Sequence, residues 1–123
     1  MGEAIKIVTI DIPDETHDLL KGLIRRQGNM ELVGEAFDPI NLLLTVKDTQ
    51  ADVVIMGHEQ PARIPGICTH LLAEYPDLLV LTITAQSNRA FLYQRKISRD
   101  EILYTSPEDL IKAIDEAVSS PMY

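Results

Sequence analysis

Short runs of aliphatic and β-branched residues alternate with helical patterns along this chain, and that alternation constrains the fold more than any other feature. The runs occupy residues 5–10, 31–36, 52–56, 78–84 and 102–104. Each has the length of a strand, and after the first run apolar residues recur at helical spacing, namely at Leu19, Leu20, Leu23 and Ile24. Strands separated by helices are joined by right-handed crossovers and lie parallel.

The helix boundaries carry local signals as well. The second helix begins at Asp38, the third ends before Pro76, and residues 90–96 predict a short, weakly patterned fourth helix. Ser106 followed by Pro107 is a strong start for the last helix, with serine as the cap and proline in the first turn. Five strands and five helices predict an α/β, flavodoxin-like three-layer sandwich with a five-stranded parallel sheet in the order 2-1-3-4-5.

Length and composition fit one globular domain. The chain has 123 residues, of which 46% are hydrophobic and 24% charged, and these values are ordinary for a single domain. We expect the domain to occupy residues 1–120 and residues 121–123 to form a frayed tail. Cys68 is the single cysteine and suits a reducing compartment. No apolar run is long enough to span a bilayer, so we expect a cytoplasmic protein that does not bind membranes.

The charge balance argues against nucleic acid as a direct ligand. Eleven basic residues against nineteen acidic ones give a net charge of −8, whereas phosphate binding needs clustered lysine and arginine. Basic residues cluster only at Arg25–Arg26 and in the segment 89–99. Both clusters are read first as solvated helix faces, and the alternative for the second is a docking surface for an acidic partner.

Five phrases of the sequence, in their order and spacing, resemble the receiver domain of response regulators over nearly the whole chain. The phrases are IKIVTID, ELVGEA, DVVIM with the loop that follows it, YPDLLVLT and SPEDL. The second phrase is similar to receivers of the branch that carries helix-turn-helix output domains. The resemblance implies the same flavodoxin-like fold.

The resemblance also implies a set of groups that a phosphorylated receiver needs. Two acids after the first strand hold Mg²⁺, because a hard cation prefers oxygen ligands. An aspartate at the end of the third strand attacks the phosphoryl group. A hydroxyl after the fourth strand meets the new phosphate oxygens, and a lysine after the fifth strand neutralises developing charge.

This chain departs from most of those requirements. Asp11 matches the first acid, but the second acid falls on Ile12 and the phosphoacceptor falls on Gly57. The lysine position falls near Thr105, and Thr82 matches the hydroxyl. The resemblance therefore implies a degenerate phosphorylation pocket with no catalytic residue, no metal ion and no cofactor.

Several alternatives remain open at this pocket. Asp14 or Glu15 could replace the second acid if the loop bends unusually, a one-residue slip would put His58 at the acceptor position, and Thr84 is a second candidate hydroxyl. Asp11 is read first as a carboxylate that caps a helix or faces water, and second as a residual metal ligand.

The remaining reactive side chains are read as packing or surface residues. Cys68 lies among apolar residues and is expected to be a small buried hydrophobe. His17, His58 and His70 show no metal-ligand spacing.

The leading hypothesis is a pseudo-receiver, a non-enzymatic domain that signals by binding partners without being phosphorylated. In receivers, the face formed by helix 4, strand 5 and helix 5 pairs subunits or meets output domains. The resemblance implies that a protein partner or a homodimer would use this face here, through Phe91, Tyr93, Arg95, Tyr104, Ile111 and Asp115. Core packing is an equal alternative for Phe91.

Three other functions compete with this hypothesis. The chain could be the N-terminal part of a DNA-binding transcriptional regulator whose output domain lies beyond it. It could bind a small ligand in the vacated acidic pocket. The third possibility is an enzyme of another flavodoxin-like family. The sequence shows no nucleophile–base pair and no phosphate loop, which disfavours this possibility.

Overall fold

The computed structural model describes residues 4–57, 66–84, 89–94, 97–103 and 106–119, and for residues 97–102 it describes the backbone. The predicted frayed tail at 121–123 lies outside these ranges. The described elements follow the order β1 (Ile5–Ile10), α1 (Asp14–Gln27), β2 (Met30–Ala36), α2 (Pro39–Thr49), β3 (Val53–Gly57), α3 (Gly66–Glu74), β4 (Leu79–Thr84), β5 (Arg89–Gln94), β6 (Ile97–Leu103) and α4 (Pro107–Ser119).

The described strands form one sheet in the order β2-β1-β3-β4-β5-β6. The α/β class and the strand order 2-1-3-4-5 were predicted correctly. The first four strands pair in parallel, but β5 lies antiparallel to β4, and β6 lies antiparallel to β5. The predicted five-stranded, all-parallel sheet is therefore wrong, because the sheet is mixed and carries a sixth strand.

The largest departure from the predicted elements is β5, which occupies the segment predicted as the fourth helix. Residues 90–93 are all buried. Ala90 and Leu92 join the apolar cluster on one face of the sheet, and Phe91 and Tyr93 join the cluster on the other. This alternation is that of a strand covered on both faces. A parallel strand would need a crossover of a dozen residues or more, whereas residues 85–88 alone separate β4 from β5.

The sheet lies between two helical layers. Leu20 of α1 and Leu110 of α4 pack with Ile55 of β3 on one face. Leu42 of α2 and Leu71 of α3 belong to the cluster on the opposite face. Because both faces are covered, the central strands carry mainly aliphatic side chains, and the polar side chains buried in them are threonines.

The start of α2 is held by a reciprocal pair of hydrogen bonds. The carboxylate of Asp38 accepts from the backbone N–H of Asn41 at 2.7 Å, and the Asn41 side-chain oxygen accepts from the backbone N–H of Phe37 at 3.0 Å. Pro39 occupies the first turn, where its missing N–H costs no helical hydrogen bond. These contacts fix the backbone where the chain leaves β2.

No described helix is long and apolar enough to cross a membrane.

The position of Phe91 in the core gives a direct test of the strand assignment. Because the Phe91 side chain is 1% exposed, we expect Phe91→Ala to lower the free energy of unfolding by about 3–5 kcal/mol. Phe37→Ala is the matched control, because Phe37 is 83% exposed and a surface truncation changes stability by about 0.5 kcal/mol or less. Urea denaturation at low protein concentration measures both, and equal losses would contradict the assignment of residues 89–94 to a buried strand.

Candidate functional site

The carboxyl ends of β1, β3 and β4 meet at one edge of the sheet, where α/β folds commonly bind ligands. Ile10 pairs with Met56, and Gly57 pairs with Ile83. Asp11 follows β1 directly at this edge. The structure therefore brings Asp11, Ile12 and Gly57 together, while Thr105 lies outside the described residues.

Gly57 is covered by the backbone that follows β1. A methyl group built on Gly57 would overlap the carbonyl oxygen of Asp11 and would lie 2.9 Å from the Asp11 carbonyl carbon and 3.6 Å from Ile12 Cα. Backbone atoms thus occupy the space that any side chain at this position would need. Glycine is required here for the close approach of two chain segments, and the aspartate of a working receiver does not fit beside this loop.

The loop takes its path from an unusual conformation at Asp11. This residue has φ of 55°, in the left-handed region, which aspartate tolerates better than most residues with a Cβ. Its side chain is exposed. Ile12, at the position of the second acid, is half-buried and packs against the cluster beneath α1 and α4. One of the two positions that hold Mg²⁺ in a phosphorylated receiver is therefore an apolar packing residue in this chain.

No group of three His, Cys, Asp or Glu side chains that could hold a metal ion occurs within the described ranges. His58, the alternative acceptor, lies outside them, and the side chain of Cys68 is not described.

Thr82 and Thr84 are both buried in β4. Thr82 pairs with Met56 on one side and Phe91 on the other, so its side chain lies on the sheet face that α2 and α3 cover. Neither threonine hydroxyl has a hydrogen-bond partner within the described part of the chain, and the Tyr93 hydroxyl shares this property.

Three residues predicted for the interaction surface lie instead in the core. Phe91, Tyr93 and Ile111 are buried. The predicted helix that would have presented the first two is the buried strand β5, and Ile111 packs on the sheet from α4. The assignment of Tyr93 and Ile111 to an exposed face is therefore corrected, and for Phe91 the alternative of core packing holds.

The other surface residues divide between described and undescribed parts of the chain. Asp115 of α4 is half-buried, and its carboxylate accepts a hydrogen bond from the Asn29 side chain at 3.0 Å. This bond links α4 to the turn before β2. Arg95 and Tyr104 lie outside the described residues. In the second basic cluster, the Arg89 guanidinium lies 5.4 Å from the centroid of the Phe91 ring, a cation–π distance.

A polar cluster that sequence reasoning missed joins α1 to β1 and β2. Nε2 of His17 lies 2.9 Å from the Thr9 hydroxyl and 3.5 Å from a carboxylate oxygen of Glu35. Thr9 and Glu35 are neighbours across the β1–β2 pairing. Both contacts converge on the same ring nitrogen, whereas a nucleophile–histidine–acid relay needs the acid on the other one. The cluster therefore positions the first turn of α1 and does not form a catalytic triad.

Nothing in the spacing of Thr9, His17 and Glu35 predicts this contact, because it depends on the strand register and on the packing angle of α1. If the pairing between β1 and β2 had been known in advance, it would have placed Thr9 beside Glu35. It would then have suggested a search for a third side chain that contacts both, which is His17.

Comparison with solved structures establishes the fold. The chain superposes on a two-component transcriptional regulator, AraC, from Clostridium phytofermentans ISDg with a TM-score of 0.61 at 18% identity, covering 94% of this chain and 92% of that one. It matches the signal receiver domain of a protein assigned as the response regulator NarL of Mycobacterium tuberculosis with a TM-score of 0.55 at 18% identity, covering 94% of this chain and 79% of that one. The chain has a receiver-like fold.

Sequence comparison finds relatives that are longer than this chain. Over 92 residues it is 32% identical to protein-glutamate methylesterase/protein-glutamine glutaminase 2 of Hahella chejuensis (strain KCTC 2396), covering 73% of this chain and 25% of that protein. Over 111 residues it is 28% identical to the uncharacterized transcriptional regulatory protein YhcZ of Bacillus subtilis (strain 168), covering 84% of this chain and 51% of that protein. The chain thus spans a quarter and about half of these relatives. No protein-family model matches it.

Because the backbone of Asp11 lies so close to Gly57, even a methyl side chain at position 57 is expected to reduce stability markedly. We expect Gly57→Ala to lower the free energy of unfolding by about 1–3 kcal/mol, because the new methyl group forces backbone to move. Gly66→Ala is the matched control: a methyl group there meets no atom within 4 Å, and alanine is the better helix former by up to about 1 kcal/mol. Thermal or urea unfolding distinguishes the two variants. A Gly57→Ala protein as stable as the Gly66→Ala protein would contradict the close contact between Gly57 and the backbone of Asp11.

Proposed function

We propose that this chain is a phosphorylation-independent signalling module that keeps the receiver fold for contacts with other proteins. One observation carries the proposal: the carbonyl of Asp11 occupies the space in which a side chain at Gly57 would have to lie. Without a carboxylate there, position 57 offers no acceptor for a phosphoryl group by the receiver route.

The surroundings of Gly57 support the same conclusion. Mg²⁺ needs several oxygen ligands, and the apolar Ile12 stands where the second acid would be. A receiver switches because phosphate binds one of two conformations better than the other. In this chain that bias is absent, so any switching depends on partner contacts, and we infer no catalytic activity.

The proposal extends to the kind of partner. A net charge of −8 disfavours direct contact with nucleic acid or with anionic membrane surfaces, so we propose a protein partner or a second copy of the chain, in the cytoplasm. The interaction face expected from the sequence included a fourth helix at residues 90–96. That face cannot serve as first expected, because the buried strand β5 takes the place of this helix. The contact surface therefore has to be sought elsewhere on the fold.

A second candidate function has support from the comparisons. The chain would be the receiver-like N-terminal part of a DNA-binding transcriptional regulator, because it spans 51% of the YhcZ protein, which carries the name of a transcriptional regulator. Reading the coding sequence beyond codon 123 tests this alternative. A helix-turn-helix segment in frame would favour it, and the module would then transmit its contacts to DNA through that segment.

The small-ligand alternative loses its support at Gly57. It rests on space left by the missing Asp and Lys side chains. Backbone atoms of Asp11 occupy the space at Gly57, and the lysine position near Thr105 lies outside the described residues.

The proposal predicts that phosphate analogues leave the site unchanged. We expect beryllofluoride with Mg²⁺, or a small-molecule phosphodonor, to cause no saturable amide shifts at Asp11, Gly57 and Thr82 in two-dimensional NMR spectra. Saturable shifts clustered at these three residues would overturn it.

Gly57→Asp provides a second arm of the same experiment. Because the loop after β1 blocks the site, this variant is expected to form no acyl phosphate and to be less stable than the parent. If it becomes phosphorylated, as detected by intact-protein mass spectrometry, the loop opens readily and the main support for the proposal is lost.

A further inference from the structure

The helix α2 is apolar on two opposite sides. Leu42 and Val46 are buried and face the sheet. Ile40 and Leu44 lie one turn apart on the opposite side, where a surface helix ordinarily carries polar residues, and they are 72% and 55% exposed. Contiguous exposed apolar residues commonly mark a contact surface, and no described element of this chain covers the outer side of α2.

Phe37 extends this outer side towards the N-terminus of the helix. Its side chain is exposed, and its backbone N–H is held by the Asn41 side chain. Together with the bond from the Asn41 backbone N–H to Asp38, this contact fixes the backbone of an exposed aromatic residue three positions before Ile40. Phe37, Ile40 and Leu44 together are called the α2 stripe.

The charge around the α2 stripe indicates what can cover it. Asp38 lies within the stripe, between Phe37 and Ile40, and Lys47 and Asp48 follow it on the same side of the helix, so the segment 37–48 has a net charge of −1. By contrast, α4 carries four acids against one lysine, a net charge of −3. A basic partner would find its complement on α4. Asp38 at one end of the stripe and Lys47 at the other make it complementary to a second copy placed antiparallel to it, although each chain has a net charge of −8.

We propose that the α2 stripe is a homodimer interface in which two copies pack α2 against α2 in antiparallel orientation about a twofold axis. In this arrangement Ile40 of each copy contacts Leu44 of the other, and Lys47 of each copy lies over Phe37 of the other. A twofold interface uses the same patch on both copies, and the stripe is self-complementary in this orientation. The inference rests on the proposed role of the chain as an interaction module.

The size of the stripe sets the strength of the contact. A stable interface buries about 800 Å² per partner, and three largely exposed apolar side chains offer roughly half of that. The dimer is therefore weak and reversible, as suits a signalling contact. Added salt strengthens it, because salt screens the repulsion between two acidic chains.

Sedimentation velocity across a series of protein concentrations tests the interface. We expect the wild-type weight-average mass to rise reversibly towards that of a dimer between low micromolar and millimolar concentration. Ile40→Lys and Leu44→Asp are each expected to weaken association at least tenfold, with unchanged circular dichroism. The control is Leu19→Asp, which changes an equally exposed leucine (53%) on α1 and is expected to leave association unchanged. A wild-type chain that stays monomeric at millimolar concentration overturns the proposal and assigns the stripe to a different partner.

Mixing the two variants tests the antiparallel register. A heterodimer of the Ile40→Lys and Leu44→Asp proteins pairs the new lysine with the new aspartate at one contact and keeps Leu44 against Ile40 at the other. We expect the mixture to recover association that neither variant shows alone. A mixture that remains monomeric while the wild-type chain dimerises contradicts the antiparallel arrangement.

Running the same series with and without beryllofluoride and Mg²⁺ separates this inference from the proposed function. Association through the stripe with and without beryllofluoride supports the α2 interface and the proposed function. Association that requires beryllofluoride and is lost in the stripe variants contradicts phosphorylation independence while the interface stands. Absence of association under both conditions removes the interface and leaves the proposed function to its own NMR test.

Discussion

The architecture depends on the burial of β5 on both of its faces. Phe91 and Tyr93 contribute to one apolar layer while Ala90 and Leu92 contribute to the other, so this segment belongs inside the sheet and cannot lie on it as a helix. The short connection from β4 then forces antiparallel pairing. With β5 in place, β6 extends the sheet by a further strand, and the helix that receivers use for contacts has no counterpart within the described residues.

Much of the framework could be predicted from the sequence, for reasons that particular residues make clear. β1, β3 and β4 are short runs rich in aliphatic and β-branched residues. The helices α2 and α4 begin at residues whose capping chemistry is local. Residues 90–93 misled the prediction because four consecutive apolar residues satisfy a short helix as well as a doubly buried strand. Only pairing with Val80 through Ile83 in β4 decides between them, and such pairing is not visible in a local pattern.

The site was predictable in composition but not in geometry. Resemblance to receivers located Ile12 and Gly57 as departures, yet it suggested a vacated pocket, whereas the left-handed backbone of Asp11 fills the space. The contact of His17 with Thr9 depends likewise on how α1 sits over the sheet. Local sequence shows which groups are missing, and tertiary packing determines what replaces them. Under the proposed function, contacts made by whole faces, such as the outer side of α2, would be the means of communication.

The close approach of Asp11 to Gly57 has a consequence for any design that would give this chain an acceptor. Because backbone atoms occupy the place of a side chain at position 57, an aspartate introduced there would destabilise the domain before it could supply any chemistry. The loop after β1 would have to be rebuilt at the same time. A single substitution therefore does not suffice, and the acceptor and the loop have to be designed together.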